Sequence, residues 1–506
     1  MRDSGSYYVD KTPLIRDLIE RGDHWFLSWP RRFGKSLLVD TLKALFEGRE
    51  HLFCGLDIHA HWDWLVSHPV VRLSFDRVYA RPQDIEDSIL VQLQEIEHNA
   101  RLETSAWQKA PEYLFELLNR LHRKTGQRVV VLVDEYDKPI LDAIKDPERA
   151  RANRDYLCNF YGIIKGRAEH IRFVLVTGVS MFSKVSVFSD LNNLHDISLD
   201  PSFAAICGYT DTDLDTVFAP ELDGLDRNEI RTWYNGYNWL GPERVYNPFD
   251  LLLLFAKRTF KPHWFRTGSP RFLLETLLEK AINPLELERC VVDETQIAKF
   301  EVEDFSAEAL MFQAGYLTIT DEIRRGHRIA YRLDYPNQEV KLSLNDELLA
   351  YLSPTNQIPV KEGETLRDRL EANDFRGFAD KCRAYLAGIP YQWHTTGDLA
   401  RYEAWYAGLL YMCFRAAGVD VHPEEASNHG RADMVIVTGG QVFVLEFKMV
   451  ETADEAEVAL ATAFAQIRDQ GYTKKYLDRN EPVHLVAVIC DCSGRTLLDV
   501  RSERVR

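Results

Sequence analysis

The sequence predicts an α/β protein built in three segments: a parallel sheet over residues 1–201, a mainly helical middle over 202–375, and a small α/β unit over 376–506. Three observations support this. As far as residue 201, apolar runs such as "HWFLSW", "VVRLSF", "VVVLVDE" and "IRFVLVTG" alternate with helical patterns, which implies crossover connections between parallel strands. The pattern then turns helical. From 376 it runs helix, three strands, long helix, strand, about the smallest unit that folds alone.

A chain of 506 residues is too long for one ordinary core. Its formal net charge of −17 argues against a protein that coats nucleic acid nonspecifically, though not against an enzyme with a local basic channel. The eight cysteines include no C-x-x-C pair, so neither a zinc ribbon nor a disulfide framework is expected, and a reducing cytoplasm fits. The first residues lack the apolar core of a signal peptide, and the run "LLLLFA" is too short to span a bilayer, so no membrane association is expected.

In the first segment "FLSWPRRFGKSLLVDTL" places a strand, a loop ending Gly34-Lys35-Ser36, and a helix. Such a turn aims backbone N–H groups at phosphate oxygens, with a lysine for the outer phosphates and a hydroxyl for magnesium. The leading glycine of the usual motif would fall at Trp29, so the signal alone is weak. Its partner is the apolar strand ending Asp134-Glu135, where Asp134 would hold magnesium through water and Glu135 would orient or deprotonate the attacking water. Thr177, at the end of "IRFVLVTG", stands where a γ-phosphate sensor would sit; the plainer alternative is a strand-end hydroxyl bonded to local backbone. Together these predict ATP and Mg²⁺ binding.

In the middle segment "YNPFDLLLLFA" makes Asn247 an N-cap with Pro248 at the first helical position. A helix stopped by Gly315 precedes two strands around the basic turn "RRGHR", the pattern of a winged helix or of a helical linker domain. Contact of that turn with nucleic acid is a minor alternative to a solvated loop.

In the last segment "GRADMVIVTGGQVFVLEFK" folds back at Gly439-Gly440. A symmetric hairpin pairs Val437 with Val442, Val435 with Val444 and Asp433 with Glu446. Opposed Cβ atoms lie about 4.5–5.5 Å apart, so two acids there need a cation between them, Mg²⁺ or Mn²⁺. Lys448, on the same strand face, is placed to steady charge developing on a phosphodiester. An exposed hairpin with a surface ion pair is the alternative. Glu403 and Glu424 are candidate further metal ligands, with a solvated face as the equal alternative; Gln466 is a candidate to orient Lys448 or substrate, with plain helix packing as its alternative; and Arg431 is a candidate nucleic-acid contact.

The blocks "YYVDKTPLI", "PRRFGKSLL", "VLVDEYDKPI", "TGVSMFSKVSVFSDLNNLHDISL", "WYNGYNW", "YNPFDLL", "FQAGYLTI", "PNQEV", "GRADMVIV" and "EFK" resemble, in order, a bacterial family that joins an AAA-ATPase-like domain to a C-terminal PD-(D/E)XK nuclease-superfamily domain. The resemblance implies nucleotide-site roles for Lys35, Ser36, Asp134 and Glu135. It implies a nuclease triad of Asp433, Glu446 and Lys448, with Glu403 as an extra acid. Trp29 departs from the arginine expected at the loop entrance. The expected function is ATP-regulated cleavage of nucleic acid, DNA ahead of RNA, in genome defence or mobile-element control, in a chain that can form homo-oligomers. The alternative is a nucleotide-switched scaffold that cuts nothing.

Overall fold

The computed structural model describes every residue except 1, 78, 80, 181–192, 264–270, 280–286, 289, 298–305, 353–359, 388–402, 427–430, 471, 473–475, 477–480, 493, 495 and 506. Part of the block "TGVSMFSKVSVFSDLNNLHDISL" and the start of the helix expected at "DLARYEAW" lie outside the described residues. The chain packs as two compact units, Met1–Trp264 with Arg289–Glu339, and Phe265–Glu288 with Val340–Arg506. Most of the middle segment therefore groups with the N-terminal sheet.

The first unit is built on strands β1 (His24–Ser28), β2 (Val70–Ser74), β3 (Val129–Asp134), β4 (Ile171–Gly178) and β5 (His195–Asp196). All pair in parallel, in the order β2-β3-β4-β1-β5. Every residue of β1 and β3 is buried, as expected of apolar strands covered on both faces, whereas the edge strand β2 alternates. After α1 (Thr12–Arg21), the crossovers are α2 (Lys35–Phe46), α3 (Pro82–Asn99), α4 (Ala110–Thr125) and α5 (Pro147–Lys165). Proline opens the last three, where its missing N–H costs nothing. Because β4 lies between β1 and β3, the loop after β1 and the acids after β3 flank the end of β4 on one edge of the sheet.

In the same unit Asn247 caps α6 (Pro248–Lys257) by accepting from the Phe249 N–H at 2.9 Å, as expected. Helix α7 (Ala307–Ala314) ends at Gly315 with φ of 86°. The expected pair of strands, β7 (Thr318–Arg325) and β8 (Arg328–Asp334), is joined by a third, β6 (Cys290–Asp293), in the order β6-β8-β7. Only Val292 of β6 is buried, so its four residues show no apolar alternation to read.

The second unit holds α8 (Gln338–Leu352, from Val340 on), α9 (Val360–Glu371), α10 (Phe375–Ala387), α11 (Glu403–Ala416), β9 (Asp420–Ala426), β10 (Arg431–Thr438), β11 (Gln441–Val450), α12 (Ala456–Asp469), β12 (Val483–Asp491) and β13 (Thr496–Arg504). The sheet runs β13-β12-β11-β10-β9, with β11 and β12 parallel and the other pairs antiparallel. The sequence reading missed β13, an edge strand whose charged outer residues mask its pattern. Leu460, Ala463, Phe464 and Ile467 of α12 pack on Val435, Val442, Val444, Leu485 and Ile489. The opposite face carries Phe443, which stacks on His484 and meets Phe375 of α10.

Candidate functional site

The expected phosphate cradle is the loop that follows β1. Gly34 has φ of 99°, a left-handed conformation in which glycine avoids the cost any other residue pays, and it turns the chain into α2. The first N–H groups of a helix have no partner within it, so this turn offers donors to an anion. Lys35 is 6% exposed and donates to the carbonyls of Trp29 at 2.7 Å and Pro30 at 2.8 Å. Burial lowers its pKa, against the opposing pull of Cys207, Asp137, Asp134 and Glu135. Lys35, the exposed Ser36, Arg31 and Glu135 line one cavity of about 370 Å³, which also reaches the apolar or aromatic side chains of Tyr8, Val9, Ile15 and Phe249.

Across the sheet edge, Asp134 is buried and its Oδ1 accepts from the Thr177 hydroxyl at 2.8 Å. Thr177 also lies 3.4 Å from the Val133 carbonyl, so the expected sensor residue touches the acid as well as local backbone. Glu135 is half-buried with φ of 55°, a conformation uncommon outside glycine, asparagine and aspartate. Its pKa is raised by burial, with Lys35 opposing and Asp134 adding to the rise.

The structural roles of two residues of this site escaped the sequence reading. Asp137, 1% exposed, accepts from the backbone N–H groups of Val179 and Ser180 and from the Ser180 hydroxyl, tying the turn after β3 to the end of β4. The third acid of "DEYD" was the available signal. Trp29 is the other. Its indole stacks on Trp239 at 4.0 Å between centroids and donates to the Ser198 carbonyl at 3.0 Å. Phe33 packs edge-on against Tyr237 and Trp239, so the motif "WYNGYNW" floors the loop with aromatic rings. The position where an arginine was expected is a packing position here.

In the second unit the hairpin register is the expected one: Val437 pairs with Val442, Val435 with Val444, and Met434 with Leu445. One step further brings Asp433 opposite Glu446. At that step Asp433 Oδ2 accepts from the Phe447 backbone N–H at 2.8 Å. Gly439 and Gly440, with φ of 56° and 67°, form the two-residue turn that sets this register. The β9–β10 register likewise brings position 424 opposite 433, since 432 pairs with 425 and 434 with 423. The side chains of Glu424 and Arg431 lie outside the described residues.

Glu446 is 0% exposed, so the exposed-hairpin alternative does not describe it. Its Oε1 accepts from Lys448 at 3.0 Å, while its buried Oε2 has no hydrogen-bond partner among the described residues. Burial, then the charge of Asp433, push its pKa up to about 7, with Lys448 opposing. Glu403, near the start of α11, accepts from the Met449 backbone N–H at 3.2 Å and stands 3.7 Å from Lys448 Nζ. Burial works to lower the Lys448 pKa, but Glu446, Glu403 and Asp433 outweigh it and raise it. Asp433, Glu446, Lys448 and Glu403 are thus brought together. Gln466 sits half-buried on α12, and the described partners of Lys448 are Glu446 and Glu403. Arg324 and His327 of the basic turn are exposed, and Arg324 pairs with Glu322.

These two arrangements define a protein with an AAA-ATPase-like sheet and a PD-(D/E)XK-type sheet on one chain. The family described as "Predicted AAA-ATPase" matches residues 1–188, and the PD-(D/E)XK nuclease superfamily matches 401–499. Over 494 residues the chain is 51% identical to an "Uncharacterized protein in vnfD 5'region" of Azotobacter chroococcum mcd 1, spanning 97% of this chain and 94% of that one. The chain belongs to this family of AAA-ATPase-like proteins with a C-terminal PD-(D/E)XK domain. Among the described residues no helix is long and apolar enough to cross a membrane.

Proposed function

We propose that this chain binds and hydrolyses ATP with magnesium at its N-terminal cradle, and that its C-terminal domain is a metal-dependent nucleic-acid phosphodiesterase acting on DNA. The observation that carries the nuclease reading is the buried Glu446 carboxylate, with one oxygen unpartnered among the described residues and Asp433 across the hairpin. Burying such a charge is costly unless something positive completes it. Among the described residues no group of three or more His, Cys, Asp or Glu forms a ready cage. The neighbouring Asp433 and Glu446 carboxylates suit Mg²⁺, which is held by one or two carboxylates and keeps several waters.

Asp433 and Glu446 would hold the ion, with Glu403 close by, and the ion would supply Lewis acidity toward the phosphodiester. Lys448, fixed by Glu446 and Glu403, holds a positive charge at the same end of β11. In the first unit Lys35 would grip the outer phosphates of ATP, Ser36 and Asp134 would hold the magnesium ion, with the Thr177 hydroxyl donating to Asp134, and Glu135, which lines the same cavity as Lys35 and Ser36, would orient or deprotonate the attacking water.

The test is a cleavage panel on DNA and RNA with Mg²⁺ or Mn²⁺, with and without ATP. Asp433→Ala and Glu446→Ala should each abolish cleavage; activity untouched by both changes refutes the nuclease reading. The contacts already made by Lys448 favour one second reading, a nucleotide-switched scaffold. Sustained, metal-dependent cutting by the pure protein would eliminate it.

A further inference from the structure

Two consecutive arginines in the cradle are treated in opposite ways. Arg32, with φ of 70°, is half-buried, and its guanidinium lies 4.1 Å over the Phe249 ring, within the electrostatic reach of the buried acids Asp250 and Glu339. It is spent on holding the loop against α6. Arg31 is exposed, lines the same cavity as Lys35, Ser36 and Glu135, and makes no hydrogen bond or ion pair among the described residues. Lys35, meanwhile, commits two of its three donors to the Trp29 and Pro30 carbonyls. A triphosphate brought beside Asp134 and Glu135 needs more positive charge than one lysine supplies, and a guanidinium suits phosphate through its paired donors.

We infer that Arg31 contacts the outermost phosphate of a bound nucleoside triphosphate from within the same chain, so that it distinguishes triphosphate from diphosphate. This rests on the nucleotide reading above. Its charge also bears on Glu135, which it stabilises in the ionised form.

The experiment is calorimetric titration of the full chain with ATP and with ADP, each with Mg²⁺. A charge-assisted hydrogen bond contributes about 1.5–3 kcal/mol, so Arg31→Ala should weaken ATP binding roughly 10- to 100-fold. ADP binding should change by less than about threefold, and Arg31→Lys should recover part of the ATP affinity, since lysine keeps the charge but not the fork. Arg32→Ala should lower the melting temperature while keeping the ATP-to-ADP preference. An unchanged preference in a folded Arg31→Ala protein overturns the inference while leaving nucleotide binding intact. A wild-type chain that binds neither nucleotide overturns both.

Discussion

Glu446 is the residue whose environment is most at odds with its chemistry. Its titration near pH 7, against 4.5 for the ordinary group, means the folded chain retains a proton that the unfolded chain has released. The group is therefore best tolerated below pH 4.5, and its penalty grows as pH rises toward 7. At about 1.4 kcal/mol per pH unit, the cost in the metal-free protein is on the order of 3 kcal/mol. Glu446→Gln should accordingly be more stable than the parent in chelator at pH 8. The gap should close as pH falls toward 4.5 and narrow when Mg²⁺ is added at pH 8. Urea unfolding across this range checks it; a gap that persists at acidic pH would point to packing instead. The pairing of Asp433 with Glu446 was legible because strand alternation and the double glycine leave one register. A covering helix was legible too, since an apolar helical run follows β11 directly and packs on the face that carries Val442 and Val444; the complete burial of Glu446 was not, because it depends on contacts between residues far apart in sequence.

Two elements hold their sites by different means. The hairpin of β10 and β11 depends on backbone conformation: a Cβ on Gly439 would stand 2.7 Å from Glu371 Cγ, in a residue with positive φ. Gly439→Ala should cost on the order of 1–3 kcal/mol and weaken metal binding, since the turn sets the Asp433 register. Thermal melting together with a Mn²⁺ titration tests both effects. The cradle depends on aromatic packing. Trp29→Ala should cost about 3–5 kcal/mol and reduce ATP affinity, because the loop loses its stack on Trp239; Trp29→Phe should retain much of both. Denaturant titration and nucleotide binding report on these variants. The sequence marked the strand, the loop and the helix here, because their periodicities are local. It could not reveal that "WYNGYNW" lies beneath the loop, a contact between residues some two hundred positions apart in the chain. Strand β13 was hidden for another reason: an edge strand exposes charge where a central strand would be apolar.

At the scale of the molecule, two units with separate cores predict two unfolding steps in calorimetry, since cooperativity is strongest within one core. ATP with Mg²⁺ should raise only the step belonging to the first unit, and Lys35→Ala should abolish that rise. Glu446→Gln should move only the other step. The family and the class of each domain were readable from ordered motifs spread along the chain, whereas the boundary between units was not. The second unit begins with Phe265–Glu288 and resumes only at Val340. This arrangement has a consequence for synthesis. The short leading piece emerges from the ribosome long before its partners, which extend to Arg506. At about 5–20 residues per second it waits roughly ten seconds or more for them. During that interval the apolar side chains of its helix Arg271–Glu279, among them Leu273, Leu274 and Leu277, all buried in the folded chain, stand uncovered. The nascent chain should therefore be a chaperone client until translation ends.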